Sequence, residues 1–216
     1  MIGTVPECVK IQWLPAEGSP TLLLPSRILL ASGSPYRREL LGRLLAGFAV
    51  AAPAVDESRL TGEPPAAMAL RLARLKAEAG ARGAPGCLVI GSDQVAALGD
   101  ETLGKPGTAA RAVDQLLRCA GQAVDFHTAV CVTGPGDQPA TCHLDTTRVR
   151  FRPLSRAEAE RYVAADQPLD CAGSFKAERR GVLLLESIEG RDPTAIQGLP
   201  LIWLGQALIA RGVDLP

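Results

Sequence analysis

Apolar residues first fall into a recognisable pattern near residue 27. Residues 27–31 form a short apolar run, which predicts a buried strand. Ser34 and Pro35 follow as an N-cap and a first helical residue, and leucines then recur at helical spacing. Residues 66–82 repeat that spacing. This part of the chain therefore predicts a strand followed by two helices.

The middle of the chain alternates apolar runs with turn residues. The elements predicted there are a buried strand at 87–91 with a continuation at 95–98, a helix from a Thr108 cap to about Cys119, and extended segments at about 123–133 and 140–151. The glycine-rich residues 134–137 between the two extended segments predict a hairpin turn.

The last third of the chain adds two helices and a strand. Ser155 and Glu158 match a capping box ahead of a helix. Residues 182–188 predict a strand, and residues 199–210 predict a closing helix. Because strands and helices alternate without an internal repeat, we expect an α/β fold with a mixed β-sheet, built as one domain over residues 26–216.

Residues 1–25 differ from the rest of the chain. They contain four prolines and show no clear period. We interpret them as an N-terminal extension, and three interpretations stay open: a disordered arm, an added strand, or a start assigned too early.

The balance of basic and acidic residues limits which kinds of partner the protein is expected to bind. The 216 residues include 23 basic and 23 acidic side chains, so net charge predicts no nucleic-acid partner and no membrane partner, although a local basic pocket is compatible with it. No run approaches the roughly 20 apolar residues of a membrane helix, and no secretory signal is recognisable. We therefore expect a cytoplasmic protein.

Cysteine and histidine usage gives little support to a structural zinc site. The six cysteines include no C-x-x-C pair, and there are only two histidines. The cytoplasmic interpretation predicts that the thiols are reduced.

The turn after the first predicted strand has the features of a phosphate-binding site. Ser32 and Ser34 supply hydroxyl groups, and Arg37 and Arg38 supply two cations. The helix N-terminus adds free N–H groups and partial positive charge, an arrangement that suits an anion. An ordinary helix cap with exposed arginines is the alternative.

Acidic residues provide the second candidate chemistry. Asp93 follows the strand predicted at 87–91, at the end of the strand where α/β proteins place ligands. It can bind a divalent cation or accept a proton from water; an ordinary turn aspartate is the alternative. Taken alone, Glu57 suits a solvated acidic turn, and Lys76 suits the charged face of a helix.

Residues 99–105 match most of a P-loop, with Gly99, Gly104 and Lys105 at the required spacing. Pro106, however, stands where a P-loop requires the serine or threonine that holds Mg²⁺. No strand–loop–helix unit is predicted here either. P-loop ATPase chemistry, whose product is orthophosphate, is therefore not expected.

The order of these motifs resembles the Maf family of nucleotide pyrophosphatases from about residue 28 to residue 210. The matching segments are SGSPYRR at 32–38, VDE at 55–57, ARLKA at 73–77, GSD at 91–93, LGKP at 103–106 and GLP from residue 198. So many motifs in one order are not expected by chance.

The resemblance implies two lobes around a nucleotide-binding cleft and cleavage of a nucleoside triphosphate into a monophosphate and pyrophosphate. It implies a divalent metal cation, Mg²⁺, Mn²⁺ or a similar ion, facing Glu57 and Asp93, with Asp93 also accepting the proton of water. The phosphate-binding residues that it implies are Ser32, Arg37, Arg38, Lys76 and Lys105. Relatives also suggest a homodimer.

Three residues resemble those of one branch of the family. Tyr36, Gln94 and Glu178 match the branch assigned to 7-methyl-GTP, in which an aromatic ring can attract the cationic base and a carboxylate can accept from the guanine N1–H and amino groups. Two alternatives stay open. One is a dTTP/UTP pyrophosphatase of the same family, and the other is a nucleotide-binding regulator of septum formation.

Overall fold

The protein is built on a β-sheet with helices on both faces, in a computed structural model that describes residues 12–13, 28–135 and 139–216. The strands are β1 (Gln12–Trp13), β2 (Ile28–Ala31), β3 (Ala49–Ala51), β4 (Leu88–Leu98), β5 (Glu101–Leu103), β6 (Ala123–Thr133), β7 (Thr141–Phe151) and β8 (Leu185–Glu189). The helices are α1 (Pro35–Gly42), α2 (Pro65–Gly83), α3 (Ala109–Cys119), α4 (Arg156–Asp166) and α5 (Leu201–Ile209). Within the described ranges, no helix is both long and apolar enough to cross a membrane.

The sheet is mixed, as the sequence predicts. Its order is β1-β3-β2-β4-β6-β7-β8, with β5 paired to the far end of β4. Strand β2 runs parallel to β3 and β4, whereas β4, β6, β7 and β8 pair antiparallel in succession. The continuous apolar runs of β2 and of the first half of β4 form the parallel part, which is buried on both faces.

Two groups of helices cover one face of the sheet and leave a cleft between them. Helices α1 and α5 pack on Ile90 and Val132, and helices α3 and α4 pack around Phe126 and Phe151. Helix α2 covers the opposite face, with its alanines against β4 and β6. The two lobes expected from the sequence are therefore the two helix groups that flank the cleft.

One predicted strand differs from the structure at its N-terminal end. The strand predicted at 182–188 is wrong in its first half, because Arg180–Leu184 form a 3₁₀ helix and only β8 is extended. Asp166 accepts a hydrogen bond from Arg180 N (2.9 Å), which ties this helix to α4.

Part of the turn predicted at 134–137 lies outside the described residues. Of residues 1–25 the structure describes only β1, which pairs antiparallel with β3.

The prediction of reduced thiols is wrong for one pair of cysteines. Cys131 of β6 and Cys142 of β7 lie directly opposite each other, with Cα atoms 4.1 Å apart, and form a disulfide. Opposite residues of an antiparallel pair have neighbouring Cβ atoms, which is the geometry that a disulfide requires. The pairing follows from the register of β6 and β7, which cysteine spacing alone does not reveal.

Candidate functional site

A cavity of about 640 Å³ opens where β2 ends and β4 continues. Strand β2 pairs with β4 only as far as Ala31 and Gly91, and β4 then runs on to Leu98. Ligands of α/β sheets bind outside the carboxyl ends of the strands, and this volume is in the range of small-molecule pockets. Of the predicted site residues, Arg38 alone does not line the cavity; it is exposed at the surface.

Ser32, Ser34 and Arg37 form a hydrogen-bonded turn in the cavity wall. Ser34 is the N-cap of α1 and accepts a hydrogen bond from Arg37 N (3.4 Å). Ser32 Oγ accepts from Ser34 N (3.2 Å) and from Arg37 Nη1 (3.2 Å). Arg37 Nε donates to Gly198 O (2.8 Å). These bonds fix the guanidinium in place while its remaining N–H groups stay available to a ligand.

Two carboxylates meet one ammonium group in another part of the wall. Lys76 Nζ lies 2.6 Å from Glu57 Oε1 and 2.6 Å from Asp93 Oδ1. The side chains of Lys76 and Asp93 are only 11% and 12% exposed, whereas that of Glu57 is 60% exposed. Helix α2, strand β4 and the loop before α2 each supply one residue, so tertiary packing assembles this cluster.

Two groups in the cavity wall have shifted pKa values, one because of a neighbouring charge and the other because of burial. The hydrogen bond from Lys76 holds the pKa of Glu57 below its usual value although burial opposes this, and Lys105 and Arg37 act in the same direction as Lys76. Burial lowers the pKa of Arg37, and the carboxylates of Asp93 and Glu57 oppose that shift. At neutral pH Glu57 is ionised and Arg37 retains its charge.

Gln94 lies on the opposite face of β4 from Asp93, and the protein fixes its amide group. Its Nε2 donates to Thr128 Oγ1 (2.9 Å), Ala195 O (3.0 Å) and Ile196 O (3.1 Å). Thr128 is fully buried and donates its own hydroxyl to Ala195 O (2.9 Å). The amide nitrogen is therefore engaged, while Oε1 receives no hydrogen bond from the described residues and can accept one from a ligand.

Tyr36 and residues 170–178 form a further part of the wall. Burial raises the pKa of Tyr36, whose hydroxyl lies 3.8 Å from Cys171 Sγ. Lys176 Nζ lies 5.9 Å from the centroid of the Tyr36 ring and 3.6 Å from Asp170 Oδ1. Glu178 is exposed at the cavity and forms neither a hydrogen bond nor an ion pair with any residue in the described ranges. Its carboxylate is therefore available to a ligand.

Two residues help to shape the cavity although no sequence pattern predicts a functional role for them. One is Thr128, which holds Gln94. The other is Asp192, which is 4% exposed and accepts hydrogen bonds from Thr194 N (2.8 Å) and Ile202 N (2.7 Å). Asp192 thereby braces the turn that contains Gly198 (φ 113°), the residue whose carbonyl binds Arg37. The Gly-Leu-Pro motif marks this turn in the sequence, but it does not reveal that the turn contacts Arg37.

The donor set at Glu57 and Asp93 fits a divalent cation. Their carboxylate oxygens converge on one point, which the 2.6 Å contacts of Lys76 Nζ mark. No cluster of three or more His, Cys, Asp or Glu side chains suited to a metal occurs within the described part of the chain. Mg²⁺ is commonly held by one or two carboxylates together with substrate phosphates and waters. The two carboxylates therefore suit a divalent cation whose remaining ligands are oxygen atoms from outside the protein.

The P-loop alternative does not fit this geometry. Strands β4 and β5 form a hairpin in which Ala96 lies opposite Leu103, with its turn at residues 99–100. The next helix begins at Ala109, after a Thr108 cap. Residues 99–105 are therefore a hairpin and its exit, and not the strand–loop–helix unit that cradles phosphates in a P-loop.

Comparison with known proteins covers most of the chain. Residues 27–211 match the family model described as Maf-like protein. A Pseudomonas putida protein named 7-methyl-GTP pyrophosphatase is 53% identical over 191 residues, which are 88% of this chain and 98% of that protein. Proteins of the same name come from Alcanivorax borkumensis (49% identical, over 88% of this chain and 96% of that protein) and Xanthomonas campestris pv. campestris (53% identical, over 88% and 98%). The chain belongs to the Maf family.

Proposed function

We propose that this protein hydrolyses 7-methyl-GTP to 7-methyl-GMP and pyrophosphate in the presence of a divalent cation such as Mg²⁺ or Mn²⁺. The observation that carries the proposal is the meeting of Asp93, Glu57 and Lys76 in the same cavity as the fixed Arg37 guanidinium. The name shared by relatives about half identical to this chain supports the choice of substrate.

Asp93 is the proposed proton acceptor. A water molecule attacks the α-phosphorus, its proton passes to the Asp93 carboxylate, and the bond from the α-phosphorus to the bridging oxygen breaks with release of pyrophosphate. Asp93 lies within strand β4 and its side chain is only 12% exposed, so its carboxylate has little freedom to reorient. A divalent cation held by Glu57 and Asp93 would neutralise phosphate charge.

Four residues are proposed to bind the phosphates. Arg37 presents a fixed guanidinium, and Ser32 lies beside it at the N-terminal end of α1. Lys76 and Lys105 also line the cavity, and they add two ammonium groups. These donors are positioned to stabilise the charge that grows on the leaving pyrophosphate. Arg38 has no place in this proposal, because it lies outside the cavity.

Selection of the base is assigned to Tyr36, Gln94 and Glu178. The free Oε1 of Gln94 and the unengaged carboxylate of Glu178 are both acceptors, and guanine offers N1–H and amino donors side by side. The Tyr36 ring offers its face to the positive charge of the N7-methylated base. Uracil and thymine lack the adjacent donor pair, so they would leave one acceptor unpaired.

Three broader expectations stay predictions: one domain over residues 26–216, a cytoplasmic location and a homodimer.

The decisive experiment is a product analysis. Purified protein is incubated with Mg²⁺ or Mn²⁺ and each of 7-methyl-GTP, GTP, dTTP and UTP, and the products are separated. We expect pyrophosphate and 7-methyl-GMP, with little turnover of dTTP or UTP. Pyrophosphate from dTTP or UTP instead would keep the chemistry and overturn the base assignment. Tight nucleotide binding without turnover would favour the regulatory alternative.

A further inference from the structure

The ammonium group of Lys76 occupies the point where the two carboxylates of the site converge. Its Nζ is 2.6 Å from an oxygen of Glu57 and 2.6 Å from an oxygen of Asp93. The Lys76 side chain is only 11% exposed, so little solvent separates it from its partners. In this arrangement, Lys76 offsets one of the two negative charges of the carboxylate pair.

A divalent cation bound by Glu57 Oε1 and Asp93 Oδ1 requires that same point. Mg²⁺ lies about 2.0–2.1 Å from its oxygen ligands, so it cannot share the space with an ammonium at hydrogen-bond distance from the same oxygens. The two cations would also repel each other at so short a distance. Lys76 and a metal bound through Glu57 Oε1 and Asp93 Oδ1 are therefore mutually exclusive occupants of this point.

A triphosphate offers the ammonium another partner. Lys76 lines the same cavity as Arg37 and Lys105, where phosphate oxygens are proposed to lie. Once phosphate oxygens are present, the ammonium can leave the carboxylates without losing a charged partner. Glu57 is 60% exposed and can adjust as the exchange occurs, whereas Asp93 is held in β4.

We infer that Lys76 holds the metal site closed in the free protein and releases it when the triphosphate arrives, so that metal binding depends on nucleotide binding. This inference rests on the proposed function, because it assumes that the cavity accepts a metal with a triphosphate. It adds a binding order: the free protein does not take up the cation, and the metal enters with the phosphates.

The test measures Mn²⁺ binding to the nucleotide-free protein, with the sharp electron paramagnetic resonance signal of free Mn²⁺ as the readout. Wild-type protein is compared with Lys76→Met and Lys76→Gln, which remove the ammonium. We expect the variants to bind Mn²⁺ about tenfold or more tightly than the wild type, because they lose a repelling charge at the carboxylate pair. Thermal unfolding of each variant verifies that it is folded.

Lys105→Met is the matched control, because it removes the same charge from the cavity wall without touching the carboxylate pair. Because Lys105 acts on Glu57 only at a distance, its loss should raise Mn²⁺ affinity far less than the loss of Lys76. Wild-type protein that binds Mn²⁺ as tightly as the Lys76 variants would overturn the inference. So would an equal gain of affinity in Lys105→Met, since general electrostatics would then explain the effect.

The Mn²⁺ experiment can contradict the inference without contradicting the proposed function. A protein that hydrolyses 7-methyl-GTP but takes up Mn²⁺ freely without nucleotide defeats the inference alone. If Lys76→Met and Lys76→Gln are unfolded, the wild-type titration decides: saturable Mn²⁺ binding at micromolar concentration without nucleotide would overturn the inference, and its absence would support it.

Discussion

Gly91 of strand β4 and Ala77 of helix α2 touch backbone to backbone, so that a Cβ atom added to Gly91 would lie 2.4 Å from Ala77 N. No side chain fits at this contact. Lys76 and Asp93 are close neighbours of the two residues along the chain, and they reach each other at 2.6 Å because the helix lies so near the strand. Gly91, which does not itself line the cavity, thus helps to set the geometry of the proposed active site.

We expect Gly91→Ala to destabilise the protein by about 1–3 kcal/mol, because the added methyl group forces α2 away from β4. Turnover should fall with it, since Lys76 moves relative to Asp93. Urea unfolding and steady-state kinetics measure the two effects. Gly205→Ala is the control: it lies within α5 with no atom near its added methyl group, and it should stabilise the protein slightly.

Asp93→Asn should fold normally and lose most of its activity. Asparagine keeps an oxygen that can accept from Lys76 but cannot take a proton from water, so we expect turnover to fall by about 10²–10⁴-fold. The control is Asp100→Asn, at an exposed position outside the cavity. Near-normal turnover of Asp93→Asn, with an unchanged unfolding midpoint, would remove Asp93 from the role of proton acceptor.

Glu178→Gln should change substrate choice more than overall activity. The amide can present a donor where the carboxylate presents only acceptors, so kcat/KM should fall selectively for guanine nucleotides, by about tenfold or more. The same measurement with dTTP and UTP gives the comparison, and Glu186→Gln, which is exposed and outside the cavity, serves as control. Equal losses on all nucleotides would contradict a role in base selection.

Thr128→Val tests whether the fixed amide of Gln94 matters. Valine keeps the shape of threonine but removes the hydroxyl that accepts from Gln94 and donates to Ala195 O, at a cost of about 1–3 kcal/mol in stability. With the amide less constrained, we expect KM for 7-methyl-GTP to rise more than kcat falls. Thr146→Val, at an exposed position, is the control. A change in kcat alone would indicate a different role.

The lowered pKa of Glu57 predicts a pH-dependent contribution to stability. Because the pKa of Glu57 is lower in the folded protein, its contact with Lys76 stabilises the protein at pH values above the unfolded-state pKa. This contribution disappears as the pH falls through the lower pKa of the folded state. Glu57→Gln should therefore be less stable than the wild type at neutral pH, and the difference should shrink in acid as Glu57 becomes protonated. Denaturant unfolding over a series of pH values measures this; a constant difference would contradict it.

The sequence determines much of the local structure, because its signals are short-range. The Ser34 cap, the Ser155–Glu158 capping box and the apolar runs of β2 and β4 each lie within a few residues of one another, and all are present in the structure. Short strands such as β3 and β5 have only three residues each, which is too few to establish a period.

The sequence does not show which residues far apart in the chain come into contact. The motif around Arg38 does not show that this side chain points away from the cavity, and cysteine spacing does not show the register that pairs Cys131 with Cys142. Thr128 carries no motif at all, because its role depends on an amide 34 residues away in the chain.

Residue types, their order and the family resemblance thus come from the sequence alone: it supplies a serine-rich turn with arginines, two acidic residues and a few lysines in one recognisable succession. Only the tertiary structure decides that Glu57, Lys76 and Asp93 share one point, that Arg37 is anchored on Gly198, and that Gln94 is held as an acceptor. The reason is physical. Hydrogen-bond and ion-pair geometry is set by how helices and strands pack, and contacts such as that of Gly91 with α2 fix it between residues that are distant in sequence.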